Sequence, residues 1–326
     1  MSPPTQPVHE LHLELLACAR CKGPLLPAVD NFLRCLDEHC QLTFPIVAGK
    51  PVLIDESRSL FAHQDYRETS KPTAPPVDGT DSRLRKLIRR LPRPSVNLSA
   101  DRCFETMKQR LHDCAHAPIV LVVGSGTGGK GMARLQADPR LRIINIDPSP
   151  TSGAALFCDG HDLPFRSGTV DGVVIQAVLE HVLDPVRCVA EIHRVLRPDG
   201  LVYSEIPFLA PAHEHGFDFT RFTLLGHRRL FRHFREIDRG AVAGPASALA
   251  GTWRHFLATF GPSPRLSRKI LLASRLATLA FEHIDQLIGQ RACGLDSAAC
   301  TYFLGTRSEQ TLADQDLVAS YRGMLR

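Results

Sequence analysis

The chain has 326 residues, 44% of them apolar and 22% charged, with a formal net charge of +5. That length suggests about two domains, and the balance is that of a soluble globular protein. No run of about 18 apolar residues occurs, which argues against a membrane-spanning helix. The charge is too mild to indicate nucleic-acid binding by itself.

The opening residues, MSPPTQPVHELHLELLACAR, lack the basic start and apolar stretch of a signal peptide. A cytoplasmic location is therefore expected, with the ten cysteines read as reduced thiols and metal ligands rather than a disulfide framework. Residues 1–56 form the first unit. In it Cys18 and Cys21, two residues apart, are followed after thirteen residues by Cys35 and Cys40, four apart. Two thiolate pairs at such spacing can close a tetrahedron around zinc. A module this small buries little apolar surface, so a structural zinc would supply folding energy. The unit ends in the strand-like FPIVAGKPVLID.

Residues 57–117 read as a linker. They contain the proline-rich KPTAPPVDGT and then a basic stretch at 83–93, RLRKLIRRLPR, with Leu84, Leu87, Ile88 and Leu91 at helical spacing. The plain reading is a solvated amphipathic helix; peripheral contact with an anionic membrane or with RNA phosphates is the alternative. A further helix is predicted from Ala100 to His116.

From 118 to 326 strand-like runs at 119–123, 141–146, 170–175 and 200–206 alternate with helix-compatible segments, the signature of a parallel α/β sheet. After Asp238 the pattern loosens into GAVAGPASALAGTW. A helix pair is predicted at about 265–291 and a last strand at 300–307, making 240–299 a helical insertion before that strand. Cys103, Cys114, Cys158, Cys188, Cys293 and Cys300 are scattered and read as apolar positions.

The strongest local signal is IVLVVGSGTGGKG at 119–131, a strand running into Gly124, Gly126, Gly128 and Gly129. Glycine is needed where a backbone must turn sharply beneath a ligand. A phosphate-binding P-loop fails because Gly131 stands where a hydroxyl must ligate magnesium. A dinucleotide fold fits GxGxxG literally, with Asp147 placed to accept from a ribose diol 18 residues beyond Gly129.

The downstream text favours a third cofactor. VVGSGTGG, IDPSP, CDGHDLPF, VDGVVIQAVLEHVLDP and HRVLRPDGLVYSEIPF, in this order over roughly 120–225, resemble the motifs of class I S-adenosylmethionine-dependent methyltransferases. The resemblance implies an α/β, Rossmann-like seven-stranded sheet with helices on both faces. It implies that Gly124, Gly126 and Gly128 floor the cofactor, Asp147 binds its ribose, and Asp159 with His161 meets the adenine. Gln176 and Ala177 would line the site near the sulfonium. One departure is Val122, where the family often carries an acid. LACARCKGPLL with FPIVAGKPVLID, over about 11–56, resembles the small zinc-ribbon activator proteins of tRNA and translation-factor methyltransferases. It implies a β zinc ribbon and a protein partner. His39 competes with Cys40 as fourth ligand, but the distance from Cys40 to Phe44 matches the family pattern and favours Cys40.

Methyl transfer from a sulfonium is an in-line displacement in which alignment can supply about 7–11 kcal/mol. A base is needed only for an acceptor that must lose a proton. His181 follows the fourth strand, and His213, Glu214, His215, Asp218 and Arg221 cluster after the fifth, in a stretch resembling that of methyltransferases found beside sugar-processing enzymes. His181, His213 and His215 are candidate bases, while Asp218 with Arg221 would orient the acceptor. The reading is O-methylation of a small-molecule or glycan-type acceptor. RNA methylation, a catalytically idle scaffold and a nicotinamide-dependent dehydrogenase are the alternatives; the low aromatic content of 6% counts against RNA.

Overall fold

The computed structural model describes residues 13–69, 97–126, 129–213 and 216–324; the basic stretch at 83–93, Gly128, Glu214 and His215 lie outside the described residues. Among the described residues no helix is long and apolar enough to cross a membrane.

The cysteine-bearing unit is an antiparallel sheet of β1 (Leu25–Ala28), β2 (Phe32–Cys35), β3 (Thr43–Val47) and β4 (Lys50–Pro51), paired in that order. The turn from β1 to β2 holds Asp30 and Asn31 at φ +61°, a region these short polar side chains tolerate.

The second sheet contains β5 (Ile119–Val123), β6 (Arg142–Asp147), β7 (Leu156–Phe157), β8 (Val170–Gln176), β9 (Leu196–Pro207), β10 (Phe234–Ala243) and β11 (Cys300–Arg307). The order is β10-β11-β9-β8-β5-β6-β7, with β11 antiparallel to both neighbours and the other pairings parallel. The helices are α1 (His63–Thr69), α2 (Ala100–Cys114), α3 (Met132–Gln136), α4 (Pro185–Val195), α5 (Leu224–Leu230), α6 (Pro245–Ala258), α7 (Pro264–Ile288), α8 (Ala292–Asp296) and α9 (Asp314–Ala319).

The central strand IVLVV is buried throughout, so it must be covered on both faces. On one side α2 presents Cys103, Phe104, Met107 and Leu111, spaced along one helical face, to Val120, Val122, Val174 and Tyr203. On the other, α4 presents Cys188, Val189, Ile192 and Val195 to Leu121, Val123 and Val173. The Asp184 side chain caps α4 by accepting from Arg187 N, and Pro185 opens it. Chain order reverses between β5 and β8, and it is there that open parallel sheets form a crevice at their carboxyl ends.

Three local expectations change. GAVA, the start of the stretch after Asp238 read as loosening pattern, is the end of strand β10, which pairs with β11 from Phe234 to Ala243. Its charged residues hid it: Arg239 is buried within the fold and faces Glu236. The expected helix pair at about 265–291 is the single helix α7, and its partner is α6, whose buried Ala246, Ala248, Ala250 and Gly251 looked like loop. The fully buried Asp285 of α7 fixes them together by accepting from Gly244, Ala246 and Ser247 N at the start of α6. Cys103, Cys158 and Cys188 are buried as expected, but Cys114 and Cys293 are exposed.

The cysteine-bearing unit shares the core of the larger sheet. Leu16, Leu25, Leu33, Phe44 and Leu53 belong to the same apolar cluster as Leu156, Leu163, Phe165 and Ile192. Leu16 pairs with Phe165, and past β4 the chain lies parallel to β7, Leu53 N donating to Phe157 O at 2.8 Å. The outer edge of the sheet is thereby covered by the unit's own backbone. Leu53→Ala is expected to cost about 2–5 kcal/mol. Calorimetry should show both sheets melting in one transition; two separate transitions would mean that the cores are independent.

Candidate functional site

At the carboxyl ends of β5, β6 and β8 the chain encloses a cavity of about 980 Å³. Gly124 forms its floor at φ +68°, where an added Cβ would sit 2.3 Å from Val178 Cγ2, so the turn after β5 requires glycine. Gly126 follows at φ +35° and donates its N–H to Asp147 Oδ2 at 2.9 Å, while Ser149 N donates to Oδ1 at 2.8 Å. Asp147 thus ends β6 facing the cavity, ordered by two backbone donors. The Ser125 hydroxyl is buried beside it without a hydrogen-bond partner.

Asp159 accepts from His161 N at 3.0 Å and from His161 Nδ1 at 2.6 Å. His161 Nε2 accepts from Asp184 N, which places the ring proton on Nδ1. Burial would raise the Asp159 carboxyl, but the His161 and Ser59 hydrogen bonds hold it below its ordinary value. Gln176 lines the cavity while its amide donates to Glu205 Oε1 at 3.0 Å and to Lys130 O at 3.2 Å. Ala177 is held at φ +51°, uncommon for a residue with a Cβ, and donates its N–H to Glu205 O.

One wall comes from the N-terminal unit. Ser57 to Phe61 line the cavity. Ser59 Oγ donates to Asp159 Oδ2 at 2.6 Å, and the Phe61 ring stacks on Phe217 with centroids 6.3 Å apart. Behind this arm, Arg20 in the first cysteine turn donates through Nε and Nη2 to Asp55 at 2.6 and 2.7 Å. Asp55 in turn accepts from Ser57 N and Oγ, setting the direction of the arm.

The four cysteines predicted as ligands converge: Cys18, Cys21, Cys35 and Cys40 bring their sulfurs within 4.8 Å of one another. Sγ separations are 3.7 Å for Cys18–Cys40 and 3.4 Å for Cys21–Cys35. Asp37 orders the second turn by accepting from His39 and Cys40 N. A set of four thiols fits a single tetrahedral thiophilic ion.

His181 also lines the cavity, with Phe217 beside it. His213 packs edge-on against His181, centroids 4.8 Å apart, but does not line the cavity. Asp218 and Arg221 form an ion pair, Nη2 to Oδ2 at 2.6 Å, and the Arg221 guanidinium holds the Asp218 carboxyl far below its usual range. These two engage one another and His213 rather than facing the cavity. Glu180, passed over in the sequence, is wholly buried beside both imidazoles, and burial pushes its carboxyl up to about 7.

Residues 121–204 match a family described as "Methyltransferase domain". The chain is 35% identical over 126 residues to an uncharacterized methyltransferase of Mycobacterium sp. (strain JLS), covering 36% of this chain and 50% of that protein. It is 34% identical over 121 residues to a malonyl-[acyl-carrier protein] O-methyltransferase of Laribacter hongkongensis, covering 30% and 40%. A chain in the complex of the Haloferax volcanii Trm112 methyltransferase activator with a methyltransferase aligns at 19% identity and TM-score 0.39, over 64% of this chain and 92% of that one. The chain spans at most about half the length of these two curated relatives. The mixed sheet, with its single reversed strand β11, is the class I methyltransferase arrangement.

Sequence reasoning located the residues of the methyltransferase domain's motifs but missed Glu180, Glu205, Phe217 and the arm at 57–61. Only Glu180 carried a signal, as an acid inside the apolar LEHV.

The pH dependence of the arm's anchor comes from Asp55, whose carboxyl the Arg20 guanidinium holds at about 2, below its ordinary 3.8. A depressed folded-state value means stability present above pH 3.8 and lost as pH falls toward about 2. Asp55→Asn should cost about 1.5–3 kcal/mol at pH 7. The gap between the wild-type and variant denaturation curves should close over that acid window; a gap unchanged from pH 5 to pH 2 would rule out this linkage.

Proposed function

We propose that the protein transfers the methyl group of S-adenosylmethionine to a hydroxyl oxygen of a small-molecule or glycan-type acceptor. The observation that carries this reading is one continuous cavity, lined by Gly124, Asp147 and Asp159 at the strand ends and by His181.

The residues fit the cofactor. The glycine floor at Gly124 would lose its shape with any Cβ, and the buried Ser125 hydroxyl has no partner among the described residues. Asp147 would take the ribose hydroxyls and Asp159, with His161, the adenine edge. Gly126, Gly128, Gln176 and Ala177 would surround the methionine portion. When bound, the cofactor supplies a methyl group on a positively charged sulfur. The protein's task is to align an acceptor oxygen with it and exclude water, and the arm at 57–61 with Phe217 serves both ends. A hydroxyl acceptor loses its proton at the end marked by His181 and His213. His215 belongs to the same stretch and is assigned to the acceptor end with them, while Asp218 and Arg221 hold His213 in place.

Cys18, Cys21, Cys35 and Cys40 are assigned a structural zinc, which fixes the turn bearing Arg20 and so the arm. In this reading the zinc-ribbon unit acts within its own chain, as a wall of the cavity. Its resemblance to partner-binding activator proteins leaves a protein partner as a further role for its outer face.

Calorimetry of the full chain with S-adenosylmethionine, S-adenosylhomocysteine and NAD tests the cofactor. Micromolar binding of the first two is expected, with none for NAD. Asp147→Ala should weaken it at least tenfold, since a lost hydrogen-bonded charge contributes about 1.5–3 kcal/mol. Binding of NAD alone would replace methyl transfer with hydride transfer.

A further inference from the structure

The orphaned carboxylate at the acceptor end has a more specific meaning, one that rests on the proposed acceptor site and deepens it. Glu180 is 0% exposed, and neither of its carboxylate oxygens has a hydrogen-bond partner among the described residues. A buried carboxylate left so is costly unless a proton or a cation compensates it. Two imidazole nitrogens face the same oxygen: His181 Nε2 lies 3.7 Å and His213 Nε2 3.8 Å from Glu180 Oε1. Both are too far for hydrogen bonds.

His181 Nδ1 lies 2.5 Å from Phe217 O, and a carbonyl can only accept, so that nitrogen is the donor and Nε2 is the one turned toward Glu180. His213 is oriented by its backbone N–H, which donates to Asp218 Oδ2 at 2.7 Å, and Nδ1 is its ring nitrogen nearer Asp218, so its Nε2 also faces Glu180. One ligand atom from each of the three residues lies within 4.8 Å of the others. Backing of imidazole N–H groups by a carbonyl and a carboxylate is how proteins orient metal-binding histidines.

We propose that Glu180, His181 and His213 form a divalent-cation site behind the part of the cavity wall that His181 provides, distinct from the four cysteines. Two nitrogens and one carboxylate suit a first-row ion such as Mn²⁺, Co²⁺ or Zn²⁺ and leave coordination positions open. Those positions take an acceptor hydroxyl. The bound hydroxyl loses its proton to water more readily because the cation stabilises the alkoxide. The alkoxide oxygen then forms the new O–C bond as the C–S bond breaks and its electron pair stays on sulfur. His181 and His213 are ligands in this scheme, and Asp218 with Arg221 are positioning residues.

The test uses the full chain carrying one equivalent of zinc, which the four thiolates take in preference to a site of two imidazoles and a carboxylate, with excess zinc removed and Mn²⁺ alone as probe. Mn²⁺ has little affinity for thiolates, so the cysteine cluster does not compete. Electron paramagnetic resonance should show one saturable Mn²⁺ per chain, with nitrogen couplings from imidazole. Glu180→Gln, which preserves shape, and His213→Ala should each weaken binding at least tenfold, with thermal melts confirming that both variants fold. Failure to saturate at millimolar Mn²⁺, or binding unaffected by both substitutions, would overturn the site. So would a Glu180→Gln variant more stable than a wild type that takes up no ion, because Glu180 would then be held as a neutral acid. No cofactor or acceptor enters the titration, so its failure is separable from failure of S-adenosylmethionine to bind.

Discussion

The paired hydrogen bonds between Arg20 and Asp55 join the two ends of the cysteine-bearing unit, 35 residues apart in sequence. Arg20 stands between the first two cysteines, and Asp55 ends the segment that runs beside β7. Asp55 is almost wholly buried, so its charge is tolerated only with the guanidinium in place. The same carboxylate receives Ser57, and two residues further Ser59 reaches Asp159. A run of polar contacts thus leads from the cysteine cluster to the wall of the cavity, over residues few enough to leave little slack. The N-terminal unit is in this sense a component of the site.

Placement of that unit depends on a second constraint, the free edge of the large sheet. β7 is only two residues long and ends the order β10-β11-β9-β8-β5-β6-β7. An open parallel edge exposes backbone groups that must pair or be covered. Val52 and Leu53 pair with Phe157, and Tyr66 of α1 packs on the Phe157 ring at 5.0 Å. The arm leaves this edge directly above the strand ends, where Asp147 and Asp159 lie. Cover for the edge and wall for the cavity are therefore provided by one continuous stretch of chain.

The polar groups around the cavity differ in how they are satisfied. At the glycine turn Asp147 and Asp159 are met by backbone N–H groups and by Ser59 and His161, so their charges are stabilised where they stand. Beside His213, Asp218 is tied to Arg221, but Glu180 has no donor. Among the described residues, the fold satisfies Asp147, Asp159 and Asp218 and leaves the buried Glu180 unmet beside His181. There a cation or a substrate group can answer it.

The sequence by itself determined the elements whose signal is local. The apolar runs at 119–123 and 300–307 coincide with β5 and β11, because a buried strand declares itself by continuous hydrophobicity. Gly124 was legible because no other residue fits its backbone, and the cysteine spacing because ligand geometry fixes it. Strand β10 and helix α6 were not legible. The first carries charges that are paired within the strand, Arg239 with Glu236, and with the distant Arg322, and the second is built of alanines whose burial depends on α7. Tertiary structure alone decided that the arm at 57–61 walls the cavity and that Glu180 is stranded between two imidazoles. Both facts arise from residues far apart in sequence, and a lone carboxylate looks the same on paper whether or not a donor waits for it.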